Sequence, residues 1–163
     1  MVFRKIENFL DDQECDFLIS LMKSTTKKEE RLECADFKMP KTIAAKVQEL
    51  IYPRIMTCAI QVYEVGHRFS PHRDVYADKR KVRTHSMSIL LNNEFEGGEL
   101  YIEGEPARQN KGDLVMFHPN QMHWVEGVWK GTRKVLTVST VNLLKDLPNF
   151  SIFSINLGGT VII

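Results

Sequence analysis

The pattern of apolar and polar positions predicts a helix near the start of the chain. In "NFLDDQECDFLISLMKS", apolar residues recur at helical spacing after Asp11. Asp11 is a candidate N-cap, and Glu14 stands three residues on, where a capping box requires it. A short strand over about residues 2–6 is expected before this helix.

A second helix is predicted over about residues 41–51. It follows Pro40 and stops before Pro53, as the steric restrictions of proline require. The polar segment between the two helices, "STTKKEERLECADFKMP", is predicted to be a solvated loop, with part of a substrate entrance as the alternative.

From residue 55 onward the pattern changes to short β-rich runs separated by Gly, Asn, Pro and charged residues. The runs are "IMTCAIQVYEV", "HSMSILLN", "GELYIE", "DLVMFHP", "QMHWVEGVW" and "RKVLTVSTVNLL". Many short strands at this spacing indicate an all-β sandwich or jelly roll. The two helices are expected to cover one face of a sheet.

Composition limits the class of protein. A chain of 163 residues with 43% hydrophobic and 26% charged residues fits one globular domain, 1–163, with 1–54 as helical support and 55–142 as the β core. The net charge of +1 gives no support for broad nucleic-acid or membrane attraction. The oligomeric state stays open.

Localisation is predicted from the cysteines and from the absence of targeting patterns. Three cysteines without a C-x-x-C favour neither a disulfide framework nor a zinc site, so a reducing, cytoplasmic setting is expected. No secretion signal is evident at the start, and no apolar run approaches the ~20 residues of a membrane span.

The stretch "YEVGHRFSPHRD" carries the first candidate chemistry. His72 and Asp74 are separated by one residue, and such residues share a face of a strand, so both side chains would point to the same place. A short H-x-D also arises by chance, so a metal site requires a third ligand.

Four other histidines could supply that ligand. His67 lies in the same turn region, His85 is expected to face outward after a basic run, and His118 reads as the frayed end of a strand. His123, in "NQMHWVEG", lies on a separate strand. Two imidazoles and one carboxylate form the facial triad of non-heme Fe(II) oxygenases.

Arg133 would meet a second requirement of that chemistry, a charged group that binds a carboxylate. Its planar guanidinium can bind a carboxylate through two parallel hydrogen bonds, which a lysine cannot do.

With these residues in place, the sequence resembles the 2-oxoglutarate- and Fe(II)-dependent oxygenases, in their prolyl-hydroxylase-like, PKHD-type branch. The resemblance covers about Gln61 to Asn142. It rests on Y-x-x-G-x-x-F-x-x-H-x-D from Tyr63, on "LLNNEFEGGELYIE", and on "KGDLVMFHPNQMHWVEGVWKGTRKVLTV". The early "IENFLDDQECDFLISLM" is similar to the family's N-terminal strand and helix, though less specifically.

The resemblance implies a role for each matching position. The iron ligands would be His72, Asp74 and His123, and Arg133 would bind the C5 carboxylate of 2-oxoglutarate. Three further positions would contact the cosubstrate or its surroundings: Tyr63, Thr137 and Leu90. Tyr63 as a core tyrosine and Thr137 as an ordinary strand residue are the alternative interpretations.

The resemblance also implies a fold and a reaction. The fold would be mainly β, a double-stranded β-helix (jelly-roll) with two N-terminal helices packed on one sheet. The cofactors would be Fe(II), 2-oxoglutarate and O2, with ascorbate left open as an addition. The reaction would hydroxylate an unactivated C–H bond of a peptide or amino acid, with peptidyl proline as the first choice, and release succinate and CO2.

Three other functions compete with this interpretation. Nucleic-acid demethylases of the same superfamily usually carry a second arginine six residues after the first, where this chain has Ser139. A cupin-like metal protein or a purely structural jelly roll would have no use for Arg133. The basic run from Val75 to His85 is either a mobile loop over the substrate or a solvated loop.

The chain between His123 and Arg133 carries its own prediction. If the two flanking strands pair as a hairpin, both side chains face inward only with an odd-length loop at Gly131 or a β-bulge near Gly127. One of these two glycines is then expected at positive φ.

Overall fold

The computed structural model of the protein describes residues 2–51, 55–75, 80–143, 154–155 and 161–162. Helix α1 is Asp12–Ser20, and the predicted capping box is confirmed: Asp11 Oδ1 accepts from Glu14 N at 2.7 Å, and Asp11 N donates to Glu14 Oε1 at 3.1 Å. Helix α2 is Lys41–Leu50, with Pro40 at its N-cap. The expected stop at Pro53 lies outside the described residues.

The strands of the described chain form two larger β-sheets and two separate strand pairs. The larger has seven strands in the order β1-β10-β6-β13-β4-β3-β2, and the smaller has four in the order β5-β11-β8-β9. Strands β12 and β7 form a separate pair, as do β14 and β15. The strands are β1 (Arg4–Ile6), β2 (Thr26–Lys27), β3 (Leu32–Cys34), β4 (Ile55–Tyr63), β5 (Phe69–His72), β6 (Lys81–Leu90), β7 (Phe95–Gly97), β8 (Leu100–Ile102), β9 (Glu105–Pro106), β10 (Leu114–Phe117), β11 (His123–Val125), β12 (Val128–Gly131), β13 (Arg133–Leu143), β14 (Ser154–Ile155) and β15 (Val161–Ile162).

The seven-stranded sheet separates two hydrophobic layers, because side chains alternate across it. On one face, Leu136 and Val138 of β13 pack with Leu18 of α1 and Val47 of α2. On the other face, Val135 belongs to a second buried cluster, together with residues of the smaller sheet. The predicted mainly β jelly roll, with two helices on one sheet, is therefore confirmed.

The segment between the helices was predicted to be a solvated loop, and this is wrong for its middle. Strands β2 and β3 pair with each other, and β3 pairs with β4, so the segment extends the large sheet by two strands. Its polar sequence is compatible with an edge, where one strand face meets solvent.

The predicted hairpin between His123 and Arg133 is wrong. Strand β11 pairs with β5 and β8 in the small sheet, whereas β13 pairs with β4 and β6 in the large one. The two residues therefore face each other from opposite sheets. Gly131 has a φ of 71°, the positive value expected for it, and a Cβ there would also collide with the Glu94 carbonyl oxygen.

Candidate functional site

The two sheets enclose a cavity of about 370 Å³. On the large sheet, the cavity is lined by residues of β13 and β4 that lie on the same face of the sheet. Arg133 is in register with Tyr63, and Thr137 is in register with Ala59. The small sheet contributes His72 and His123 from the facing side.

Three potential ligands meet in this cavity. One donor atom from each of His72, Asp74 and His123 lies within 4.8 Å of the others. The Nε2 atoms of His72 and His123 lie 3.6 Å from Asp74 Oδ1 and Oδ2, respectively. Among the described residues no other group of three or more His, Cys, Asp or Glu side chains has this arrangement.

Backbone carbonyls set the orientation of both imidazoles. His72 Nδ1 lies 2.7 Å from the Ser70 oxygen, and His123 Nδ1 lies 2.9 Å from the Gln121 oxygen. Since a carbonyl only accepts, each Nδ1 carries a proton, and in a neutral imidazole of that tautomer Nε2 presents its lone pair to the centre. Metal-binding histidines usually donate their other ring N–H to a carbonyl or carboxylate in this way.

Asp74 reaches the centre by a different route from the one predicted. Strand β5 ends at His72, so Asp74 is not on the same strand, and its position is set by other contacts. Its backbone N–H donates to the Pro119 oxygen at 2.8 Å, and its Oδ2 accepts from Ser86 Oγ at 2.6 Å. Burial, and then the neighbouring His123, lower the pKa of His72, which favours the neutral, ligating form.

Arg133 lies at another part of the cavity wall and is 2% exposed. Its Nη1 is buried without a hydrogen-bond partner among the described residues, and its guanidinium carbon lies 5.1 Å from the Tyr63 ring centroid. Burial lowers the pKa of Arg133 and raises that of Tyr63. An arginine nevertheless stays charged, so this one calls for an anion.

Of the other residues predicted to contact the cosubstrate, one lines the cavity and one does not. Thr137 lines the cavity, and its Oγ1 donates to the Ala59 oxygen at 3.1 Å. Leu90 is 3% exposed but is not among the described residues that line the cavity. The structure therefore brings Tyr63 and Thr137 to the site and leaves Leu90 beyond it.

The remaining histidines lie away from the three ligands. His67 Nδ1 accepts from Glu64 N at 3.1 Å in the turn before β5. His85 was expected to face outward, but it is half-buried, with Nδ1 3.2 Å from Thr140 Oγ1. His118 follows the end of β10, and its Nδ1 accepts from Asn120 N at 3.1 Å.

Several polar residues of the cavity wall were missed by sequence reasoning. Arg31 and Glu33 come from the segment predicted to be a loop, for which part of a substrate entrance was the alternative, but no sequence signal singled out these two residues. Gln61 lies two residues before Tyr63 on the same strand face, so β alternation could have found it. Arg83 is on β6, in the part of the predicted basic loop that is a strand; residues 76–79 of that run lie outside the described residues.

The donor set fits one group of metals. Two neutral imidazoles and a carboxylate, with the rest of the coordination sphere open to a cavity, match non-heme Fe(II). The buried Arg133 facing the same cavity fits a carboxylate that would bind beside the metal.

Residues 58–139, half of the chain, match the model of the 2OG-Fe(II) oxygenase superfamily. The chain belongs to this superfamily. A PKHD-type hydroxylase of Teredinibacter turnerae is 30% identical over 118 residues, which cover 66% of this chain and 50% of that protein. The chain thus spans about half the length of the curated relatives it matches.

Solved structures agree in fold with this superfamily member. The viral collagen prolyl hydroxylase of Paramecium Bursaria Chlorella virus-1 has a TM-score of 0.67 at 19% identity, covering 86% of this chain and 96% of that one. A Pseudomonas putida prolyl-4-hydroxylase has a TM-score of 0.65 at 17% identity, covering 85% and 91%. No helix in the described part of this chain has the length and apolar character to span a membrane.

Proposed function

We propose that the protein is an Fe(II)- and 2-oxoglutarate-dependent dioxygenase that hydroxylates an unactivated C–H bond and releases succinate and CO2. One observation carries the proposal. Arg133, whose buried Nη1 has no hydrogen-bond partner among the described residues, lines the same cavity as His72, Asp74 and His123.

Fe(II) would be held by His72, Asp74 and His123, where it would activate O2 for attack on a C–H bond, with 2-oxoglutarate as the two-electron reductant that leaves as succinate and CO2. The protein's own residues position and protect the reactants. Arg133 would bind the C5 carboxylate of the cosubstrate as a charge-assisted pair. Tyr63, beside it, would add its hydroxyl, and Thr137, which lines the same cavity, would contact the cosubstrate.

The substrate we propose is a peptide or amino acid, with peptidyl proline first. The support is the naming of the relatives as PKHD-type hydroxylase, collagen prolyl hydroxylase and prolyl-4-hydroxylase. A cavity of about 370 Å³ is at the small end of ligand pockets, which suits a cosubstrate and one side chain better than a large group.

The test is turnover of 2-oxoglutarate by protein loaded with Fe(II) under anaerobic conditions, followed by addition of O2. Succinate release is measured against a panel of proline-containing peptides and free amino acids, and hydroxylated products are identified by mass spectrometry. His72→Ala and Asp74→Ala should each abolish succinate release while the protein stays folded by circular dichroism.

His67→Ala is the matched control, because His67 is a neighbouring histidine outside the three-ligand group. It should retain turnover. Undiminished succinate release in both His72→Ala and Asp74→Ala would refute the proposed function.

A further inference from the structure

The turn between β2 and β3 lies against the strand that carries His72. Lys28 N donates to the Arg31 oxygen at 2.8 Å, which closes a tight turn with Glu29 and Glu30 at its tip. The backbone of this tip accepts a hydrogen bond from the residue just before β5: Arg68 N donates to the Glu30 oxygen at 3.2 Å. The N-terminal part of the chain therefore reaches the metal side of the barrel.

The Glu30 carboxylate makes two hydrogen bonds to one residue of β5. Its Oε2 accepts from Ser70 N at 2.7 Å, and its Oε1 accepts from Ser70 Oγ at 2.5 Å. Arg68 Nε lies 3.4 Å from Oε1 and adds charge. Bonds to an ionised acceptor are short and about twice as strong as neutral ones, so Ser70 is firmly held.

Ser70 is also the residue that orients His72. Its carbonyl oxygen lies 2.7 Å from His72 Nδ1, so the N–H side of Ser70 is bound to Glu30 while its carbonyl side fixes the imidazole. Strand β5 is the edge of the small sheet, where it pairs with β11. An edge strand lacks a neighbour on its other side, and here Glu30 takes that place.

Arg31, the next residue of the turn, supports the His72 imidazole indirectly, through the Phe69 ring. The Arg31 guanidinium lies 3.6 Å from the Phe69 ring centroid, and the Phe69 ring stacks on His72 at 3.8 Å with an interplanar angle of 15°. Both groups cover a face of Phe69, so they lie on opposite faces. Arg31 Nε in turn donates to Gln61 Oε1 of the large sheet.

We propose that Glu30 is a positioning residue of the metal centre, acting through Ser70 on His72, with Arg31 supporting the same imidazole through Phe69. This inference rests on the proposed function, because it assigns Glu30 a role toward the metal. Glu30 does not line the cavity and makes its hydrogen bonds to Ser70, so its effect is on how well the His72 imidazole is oriented before metal binds.

The test measures metal affinity rather than turnover. Co(II) binding to the metal-free protein is measured by calorimetry, and the visible absorption of bound Co(II) reports the ligand geometry. The variants are Glu30→Ala, which removes both bonds, and Glu30→Gln, which keeps an acceptor oxygen and serves where the alanine variant folds poorly. Glu29→Ala is the matched control, since Glu29 is exposed in the same turn.

Loss of an outer partner of a metal-bound histidine typically weakens metal affinity roughly 10- to 100-fold. Glu30 acts one bond further out, so we expect Glu30→Ala to weaken Co(II) binding about tenfold and to change the absorption spectrum, with a smaller loss in Glu30→Gln. Glu29→Ala should match the wild type.

Two results would overturn the inference in distinguishable ways. If the wild type and Glu30→Ala bind Co(II) equally well and differ only in melting temperature, Glu30 is a structural residue and the proposed function is untouched. If the wild type itself binds neither Co(II) nor Fe(II), the proposed function fails, and the positioning role fails with it.

Discussion

Gly98 lies so close to Arg133 that a Cβ at position 98 would be 2.9 Å from the Arg133 Cδ. Gly98 also has a φ of 66°, a conformation that side chains disfavour. The absence of a side chain at one position therefore gives the buried arginine stem its place in the cavity wall.

Gly98→Ala should displace Arg133 and weaken 2-oxoglutarate binding, in addition to a backbone cost of about 1–2 kcal/mol. Gly104→Ala is the control, because Gly104 has a φ of 84° and open space around its Cβ position. Both variants should lose stability in urea unfolding, but only Gly98→Ala should raise the KM for 2-oxoglutarate. Equal KM values in the two variants would contradict the packing argument.

Arg133→Ala should raise the KM for 2-oxoglutarate at least about tenfold, and Arg133→Lys should raise it less, since losing one partner of a buried charge pair costs about 2–5 kcal/mol. Lys134→Ala, the next residue on the same strand, is the control.

Arg133→Met should separate binding from stability. Because Arg133 is buried with an unpartnered donor, an apolar side chain of similar length should leave the free energy of unfolding of the cosubstrate-free protein unchanged or raise it by about 1 kcal/mol. In thermal unfolding, added 2-oxoglutarate should then stabilise the wild type and not the variant. Stabilisation of both by 2-oxoglutarate would place its carboxylate elsewhere.

Ser86→Ala should weaken metal binding, because Ser86 Oγ donates to Asp74 Oδ2 and fixes the carboxylate. We expect a loss of roughly tenfold in Co(II) affinity, the low end for such partners. Ser88→Ala is matched to it, since Ser88 lies on the same face of β6 and its Oγ contacts Gln109 instead of Asp74. A similar loss in both variants would show that strand packing, not the Asp74 contact, is responsible.

The contacts of Glu30 predict a pH dependence of stability. The two hydrogen bonds from Ser70, and then Arg68, lower the pKa of Glu30 below the value of about 4.3 of an unfolded chain. The ionised carboxylate therefore stabilises the fold above about pH 4.3, and this contribution is lost as the pH falls through the lowered pKa. The difference in unfolding free energy between wild type and Glu30→Gln, measured without metal, should shrink on acidification. A difference that is constant with pH would show that the charge plays no part.

The sequence predicted the fold class and the residues that meet in the cavity better than it predicted how they meet. His72, Asp74 and His123 carry recognisable chemistry, and the structure brings them together. The hairpin prediction failed because turn-sized spacing suggests local pairing, while β11 and β13 each find partners far along the chain. Strand pairing of that kind depends on which sheet a strand joins, and local patterns do not encode it.

The wall residues show the same limit. Gln61 follows from alternation along β4, but Arg31 and Glu33 reach the cavity only because β3 adds to the sheet beside β4. Leu90 shows the reverse case: it shares a strand face with Ser86 and Ser88, but the cavity ends before it. Position along a strand gives the direction of a side chain, whereas the shape of the cavity depends on everything around it.

The division of the site between two sheets has a consequence for the folding pathway. His72 is in register with His123 in one sheet, and Arg133 is in register with Tyr63 in the other, so each of these pairs is distant in sequence. Non-local contacts form slowly, because the chain must close large loops before they are made. During refolding, the helices should therefore gain their circular dichroism before the protein can bind metal, and the arrival of a Co(II) spectrum would mark the pairing of the distant strands β5 and β11, which brings His72 beside His123.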